Sequence, residues 1–506
     1  MSSPVLLLGL DGASWELIDE HLDVSLPTLD ALRADGVEAV SESALPPVTC
    51  PNWRCVSSGK TPGQLGVYWW ERIDMAERTV ELVDTTAFET ADVWDYAVAE
   101  GTPTGVVNMP LTHPPTDETT PFVSGGPDAE ATDFTAPPDL ATTLSDRFDY
   151  RVHTRTTTAD PAPAVGEDVL ELLEQRFETA KYLYREHDLE FVVTILYYLV
   201  RLEHYFWDDA PVREAYELID EQLSWFVDEG FNIVIVSDHG TAEIDTIFNI
   251  NEWLARNNYL SETVGTGYST VAPMINKERL ASFLAKAGLR KAVSRFTPTA
   301  VKDSVPDSPS GVQGKNKESV VDWDRTTALA SGQGPLYVTD DADVDALREE
   351  LLSIEGPDGR PVIDAVHRTA ELYPGSGRRE TAPDLIVEQR KGVHTTDSIG
   401  GGSIFESVAE RGKWRAENHS DGIFLASGPD VRDDWDRDEV PTFSVMPTVL
   451  HLLGSPIPDD VRYDPLPIRR RKHDVERRDS LSAGERTVKE DDAAMEERLS
   501  DLGYLS

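Results

Sequence analysis

The chain has 506 residues, 40% of them hydrophobic, and carries 92 acidic against 46 basic residues, a formal net charge of −46. That length supports a large core with several substructures, and the negative field disfavours nucleic-acid binding because phosphate backbones are repelled at low salt. Acidic residues are spread along the whole sequence and only twelve residues are lysine, which reads as the surface of a halophilic protein in a high-salt cytoplasm, where screening shortens self-repulsion, and not as a disordered acidic chain poor in apolar residues.

The N-terminal MSSPVLLLGLDG has no basic leader and an apolar run of only about six residues, so no signal peptide is predicted. No stretch reaches the ~20 apolar residues that cross a bilayer. The two cysteines, Cys50 and Cys55, lie in one short segment and do not suggest a disulfide framework. A cytoplasmic protein without membrane insertion is expected, and the sequence assigns no oligomeric state.

In chain order, residues 5–10 are a continuous apolar run followed by Asp11 and Gly12. This predicts a buried strand ending in an acidic residue, where open α/β sheets place their chemistry. A short amphipathic helix from about Ser14, a helix over 27–35 stopped at Gly36 and a strand over 37–43 lead into ALPPVTCPNWRCVSSGKTPGQLG at 44–66. There two prolines deliver an extended chain to Thr49, and Pro51 suits the first turn of a helix ending near Ser58. Thr49 is thereby placed at a helix N-terminus, whose unpaired N–H groups and dipole stabilise an alkoxide or a phosphate. Its plainer role would be to cap the helix.

A helix over 92–100 and a strand over 105–108 follow, and then a Thr-, Pro- and Asp-rich stretch to about 163 that reads as long surface loops. Val169, Leu173, Phe177, Ala180 and Tyr184 recur at helical spacing and predict a helix over 168–185. A buried strand over 191–199, a helix over 211–229 and a strand over 231–236 lead into Ser237-Asp238-His239-Gly240. This alternation predicts an α/β fold with a mostly parallel central sheet sandwiched by helices. Residues 261–320 break the pattern: 277–296 looks helical, but 297–317 is dominated by Pro, Ser, Gly, Asp and Lys, as in an inserted lid or cap. Core-like strands resume at 327–331 and 336–339, with a helix over 341–353, short strands at 384–387 and 422–427 and an apolar helix over 442–453. The domain plan is core over 1–260, lid over 261–320, core over 321–468 and a charged tail over 469–506 with a short docking helix. The basic tetrad Arg469-Arg470-Arg471-Lys472 is expected to pair with the protein's own surface.

Five pieces place ligand-type side chains at element ends: Asp11, the Thr49 hydroxyl, His204, Asp238-His239 and His419. Carboxylates and imidazoles of this kind suit zinc or a similar divalent ion. Each has a structural alternative: Asp11 as a cap, Asp238 as a turn former, His204 as a member of the aromatic cluster with Tyr205, Phe206 and Trp207.

Their order carries a resemblance. LLGLDGA at 7–13, PPVTCPNW at 46–53, VNMPLTHPP at 107–115, IVSDHG at 235–240, VDWDRTTALA at 321–330, TAPDLIV at 381–387, NHSDGIFLASGP at 418–429, SVMPTVLHLLGSPIP at 444–458 and LGYL at 502–505 resemble the alkaline phosphatase superfamily and, within it, the type I phosphodiesterase/nucleotide pyrophosphatase family. The resemblance implies a metal-dependent hydrolase of small phosphorylated substrates that works through a covalent phospho-threonine at Thr49. It implies one divalent ion, zinc or manganese, on Asp11, Thr49, Asp238 and His239. A second ion would sit on His204, His419 and an aspartate four residues before His204. Here that residue is Val200, which offers no donor; Glu203, Asp208 or water could stand in. A second departure is Leu65, where the family has histidine. Asn52 and Lys60 are candidates to bind non-bridging oxygens. Two alternatives follow: a non-catalytic metal-binding scaffold that has lost turnover through Val200, and a sulfatase. The sulfatase motif fails from either start, with Trp53 in place of arginine counting from Thr49 and Asn52 in place of proline counting from Cys50.

Overall fold

The structure is a computed structural model that describes residues 3–115, 120–157, 160, 162–263, 314–340, 342–375, 382–400, 402–408, 414–435, 437–471, 473–482 and 492–501. A nine-stranded sheet runs through it in the order Glu439–Pro441, Val37–Glu42, Asp421–Ser427, Asn232–Val236, Val5–Leu10, Phe191–Leu196, Thr104–Pro110, Phe122–Gly125 and Thr135–Ala136. Asp421–Ser427 is antiparallel to both neighbours and Thr135–Ala136 to its one neighbour; every other pairing is parallel. This is the α/β sandwich expected from the alternation of apolar runs and amphipathic helices.

Val5–Leu10 is buried at every position because helices cover both faces of the sheet. The two-residue period of a strand sends Leu6, Leu8 and Leu10 into one apolar cluster, with Phe177 of the helix Ala162–Glu186 and Leu223 of the helix Ala210–Asp228. Val5 and Leu7 enter another, with Trp53, Tyr96 of the helix Val93–Ala99 and Val449 of the helix Val445–Leu453. Parallel register sets the edge where chemistry gathers. Gly9 lies opposite Val236, so Asp11 and Asp238, each two residues further on, leave the sheet side by side.

Several sequence expectations are corrected. The run read as one strand over 191–199 divides into the strand Phe191–Leu196 and the helix Leu199–Phe206, which carries His204. Within the expected loops before residue 163 the chain adds Phe122–Gly125 and Thr135–Ala136 to the sheet and forms the helix Leu140–Phe148. Of the later expected strands, 422–427 joins the central sheet as Asp421–Ser427, whereas the others, Ala328–Ala330, Pro335–Val338 and Leu385–Gln389, make a separate antiparallel sheet with Ile363–Arg368 over its own apolar cluster.

The expected helix over 277–296 and most of the expected lid lie outside the described residues. The helix Gly314–Val320 belongs to the described part, and its Lys317, assigned to loop-like sequence, is buried with its ammonium on the carboxylates of Glu71 and Asp397. Burial pulls the Lys317 pKa down, but the two carboxylates outweigh it and the net shift is upward. In the tail, Arg469 donates to the His451 carbonyl and Arg470 to the Val431 carbonyl, while Met495 and Leu499 of the helix Asp492–Asp501 enter the core.

Candidate active site

Thr49 opens the helix Thr49–Ser58, preceded by the extended Val48. Cys50 has non-helical dihedrals (φ −102°, ψ 116°), so the regular turns begin at Pro51, as the proline predicts. The hydroxyl is buried and held between two strand ends: Thr49 Oγ1 donates to Asp11 Oδ1 (3.4 Å) and lies 3.2 Å from His239 Nε2. His239 Nε2 is in turn 3.8 Å from Asp11 Oδ1 and 3.3 Å from Asp238 Oδ2. Its Nδ1 lies 3.0 Å from the Gly240 carbonyl, to which it donates, and this fixes the tautomer that leaves Nε2 as the lone-pair nitrogen.

Asp11, Asp238 and His239 are the one group of three or more carboxylate, imidazole or thiol ligands among the described residues whose donor atoms all lie within 4.8 Å of one another. All three are fully buried. Burial, followed by the charge of Asp238, raises the Asp11 pKa well above the ordinary value, and burial raises that of Asp238 to about 8 and lowers that of His239 to about 4. Two buried carboxylates beside an uncharged imidazole form a site short of positive charge. Asp238 Oδ2 accepts no hydrogen bond. Hard oxygen donors plus one imidazole, desolvated and unneutralised, fit a divalent cation.

Sequence reasoning missed the residue that orients Asp11. Trp53, one turn after Thr49, donates its Nε1–H to Asp11 Oδ2 (2.8 Å). Its ring lies over Gly9, where any Cβ would collide with it.

The remaining candidates are placed differently. Asn52 donates from Nδ2 to Ser43 Oγ (2.8 Å), the Ala44 carbonyl (3.3 Å) and the Pro46 carbonyl (3.2 Å), bracing the loop that delivers Thr49. Lys60 Nζ pairs with Asp460 (2.6 Å). Both donors are therefore engaged by protein groups. Leu65 is buried in the core.

His204 donates Nδ1–H to the Ala416 carbonyl (2.8 Å) and stacks on Trp414 at 4.3 Å, leaving Nε2 buried with no partner. His419 ends the strand Ala416–His419 opposite Gly240, and its Nδ1 accepts from the Asp421 amide (3.3 Å). Neither joins the compact donor group of Asp11, Asp238 and His239.

A mostly parallel sheet sandwiched by helices, whose strand ends gather two carboxylates, an imidazole and a threonine hydroxyl at a helix start, is an alkaline-phosphatase-like α/β fold. The model of the type I phosphodiesterase/nucleotide pyrophosphatase family matches residues 5–420, and the chain belongs to that family: it is a phosphoric ester hydrolase of this type. No curated sequence matches it significantly. Among solved structures it is similar to phosphonoacetate hydrolase from Sinorhizobium meliloti 1021 in complex with phosphonoformate, at 13% identity and a TM-score of 0.59 over 90% of this chain and 96% of that one. It is also similar to murine ectonucleotide pyrophosphatase/phosphodiesterase 5, at 12% identity and a TM-score of 0.49 over 90% of this chain and 95% of that one.

Proposed function

We propose that the chain is a cation-dependent phosphodiesterase or nucleotide pyrophosphatase whose nucleophile is Thr49, acting on small phosphorylated substrates. The observation that carries this reading is the buried Thr49 hydroxyl, held at a helix start between Asp11 and His239. A divalent cation on Asp11, Asp238 and His239, zinc or manganese by donor chemistry, would supply Lewis-acid charge beside the threonine oxygen. The helix N-terminus adds its positive pole at the same place. Trp53 fixes the rotamer of Asp11, and the Asn52 contacts fix the approach to Thr49. The hydroxyl proton passes to Asp11 Oδ1, the oxygen to which Thr49 Oγ1 already donates. Thr49 Oγ1 then bonds to phosphorus, and the bond from phosphorus to the leaving oxygen breaks with its electron pair on that oxygen. Water later displaces Thr49 from phosphorus and restores the hydroxyl.

The acidic surface supports a high-salt cytoplasmic setting, and the Pro-, Ser- and Gly-rich sequence over 297–317 supports a lid within 261–320 between the two parts of the core. No helix among the described residues is long and apolar enough to cross a membrane. The scaffold alternative draws on Val200. The sulfatase alternative has no support from Cys50, whose thiol is buried, pushed up in pKa by that burial, and turned toward the Trp69 carbonyl. The test is hydrolysis of a bis-aryl phosphodiester and of a nucleotide pyrophosphate in high salt with zinc or manganese, combined with peptide mass spectrometry for phosphate on Thr49. Turnover that survives Thr49→Ala would sink the proposal.

A further inference from the structure

Glu203, on the helix Leu199–Phe206, is fully buried, and among the described residues its carboxyl group has hydroxyl partners and no ion pair. Burying a carboxyl group without a counter-ion is costly, and the steps at Thr49 make no use of this one. Its Oε1 accepts from Tyr216 Oη–H (2.8 Å), on the helix Ala210–Asp228, and its Oε2 from Thr241 Oγ1–H (3.3 Å). Oε2 also fills the space beside Gly12: a Cβ there would lie 2.5 Å from it. Gly12 has φ +81°, the left-handed region that glycine enters without strain.

These contacts set one side chain against both turns that carry the cation donors. Gly12 follows Asp11, and its amide meets Asp238 Oδ1 at 3.5 Å. Thr241 comes two residues after His239, in the strand Gly240–Glu243. Glu203 itself stands outside the compact donor group of Asp11, Asp238 and His239. The same two segments are also joined by Ser14 Oγ–H to the Thr241 carbonyl (3.1 Å) and by Ser237 Oγ–H to the Ala13 carbonyl (2.9 Å). Loss of Glu203 therefore loosens the join without severing it.

We propose that Glu203 is a positioning residue: by packing on Gly12 and binding Thr241 it fixes Asp11 relative to Asp238 and His239, and so sets the affinity of the centre for its cation. The proposal rests on reading Asp11, Asp238 and His239 as the cation site and does not depend on turnover. A site of this kind needs its donors held within about 0.5 Å of their working geometry, and a side chain that touches both backbones does this at the point where they meet. A role confined to packing one helix on the other would move stability and leave cation affinity alone.

The experiment is calorimetric titration of the full-length chain in high salt with zinc and with manganese, on the wild type and on variants that circular dichroism verifies as folded. Glu203→Ala should weaken binding by about 10–100-fold. Glu203→Gln should stay within about threefold of the wild type, because its amide accepts from one hydroxyl, donates to the other and keeps both contacts. Tyr216→Phe should weaken binding in the wild type and add nothing in Glu203→Ala, since both act through one carboxyl group. A folded Glu203→Ala that binds like the wild type, with only a lower melting temperature, would overturn the proposal. Glu203→Gln as weak as Glu203→Ala would also overturn it, by making carboxylate charge or direct ligation the cause. If Glu203→Ala does not fold, Tyr216→Phe and Thr241→Val each remove one contact, and unchanged affinity in both would overturn it. A wild type that binds no cation overturns it together with the cation-site reading, whereas binding without Thr49-dependent turnover removes only the proposed activity.

Discussion

The two sides of the centre are built from different kinds of backbone. Asp11 and Asp238 follow adjacent parallel strands whose register is fixed by hydrogen bonding along their length, so their carboxylates meet wherever the sheet forms. His204 and His419 hang from a short helix and from the end of a two-stranded ladder outside the main sheet. The lesson is that the strand-borne side is preorganised by the sheet itself, while the helix-borne side depends on individual side chains. Preorganised ligands have the larger functional effects when removed.

The largest expected effect breaks the strand-borne side at its nucleophile: Thr49→Ala should lower kcat/KM for a phosphodiester by at least about 10³-fold while the circular dichroism spectrum is unchanged. Next comes the charge of the ligand carboxylates. With cations removed, the Asp238 pKa is about 8 against an ordinary 3.8. The folded state therefore binds the extra proton, and the stability this contributes is present below about pH 3.8 and lost as pH rises toward 8. Thermal melts of the chelator-treated protein should fall across that window, and added zinc or manganese should restore stability most at its upper end; a flat profile would count against the site.

Trp53→Phe removes the hydrogen bond that orients Asp11 and should weaken cation affinity by about 10–100-fold, measured by calorimetric titration. On the other side, His204→Ala should change cation affinity at Asp11, Asp238 and His239 by less than about threefold, since His204 is outside that donor group; a loss as large as that of Trp53→Phe would make the two sides equivalent. The smallest effect is expected from Lys60→Ala, whose partner Asp460 is half-exposed: stability should drop by less than about 1 kcal/mol in urea melts, with KM unchanged.

What was legible in the sequence follows the same division. A continuous apolar run ending in an acidic residue names Asp11 and Asp238 without any structure, because a strand buried on both faces has that signature. The helix start at Thr49 was equally readable from Pro51. His204 was harder to place. Its helix follows the Phe191–Leu196 strand with apolar residues on both sides of the boundary, so hydrophobicity alone marks no end of strand. Apolar runs also carry no direction, which is why Leu385–Gln389 and its partners read as more of the core when they form an antiparallel sheet. The roles of Trp53, Asn52 and Lys60 were invisible because they depend on contacts with Asp11, the 43–46 loop and Asp460, set by tertiary packing.

The juxtaposition of Asp11 with Asp238 also bears on how the protein is made. Gly12 and Asp238, whose backbone amide and carboxylate meet at 3.5 Å, are separated by 226 positions, so the central strand emerges from the ribosome long before the partner strand that completes the ligand set. Domains assemble during synthesis at about 5–20 residues per second, which leaves the first strand waiting on the order of ten seconds or more for its neighbour. A cation held by Asp11 and Asp238 therefore could not template the early sheet; it would enter last and reward only those chains that have already paired the right strands.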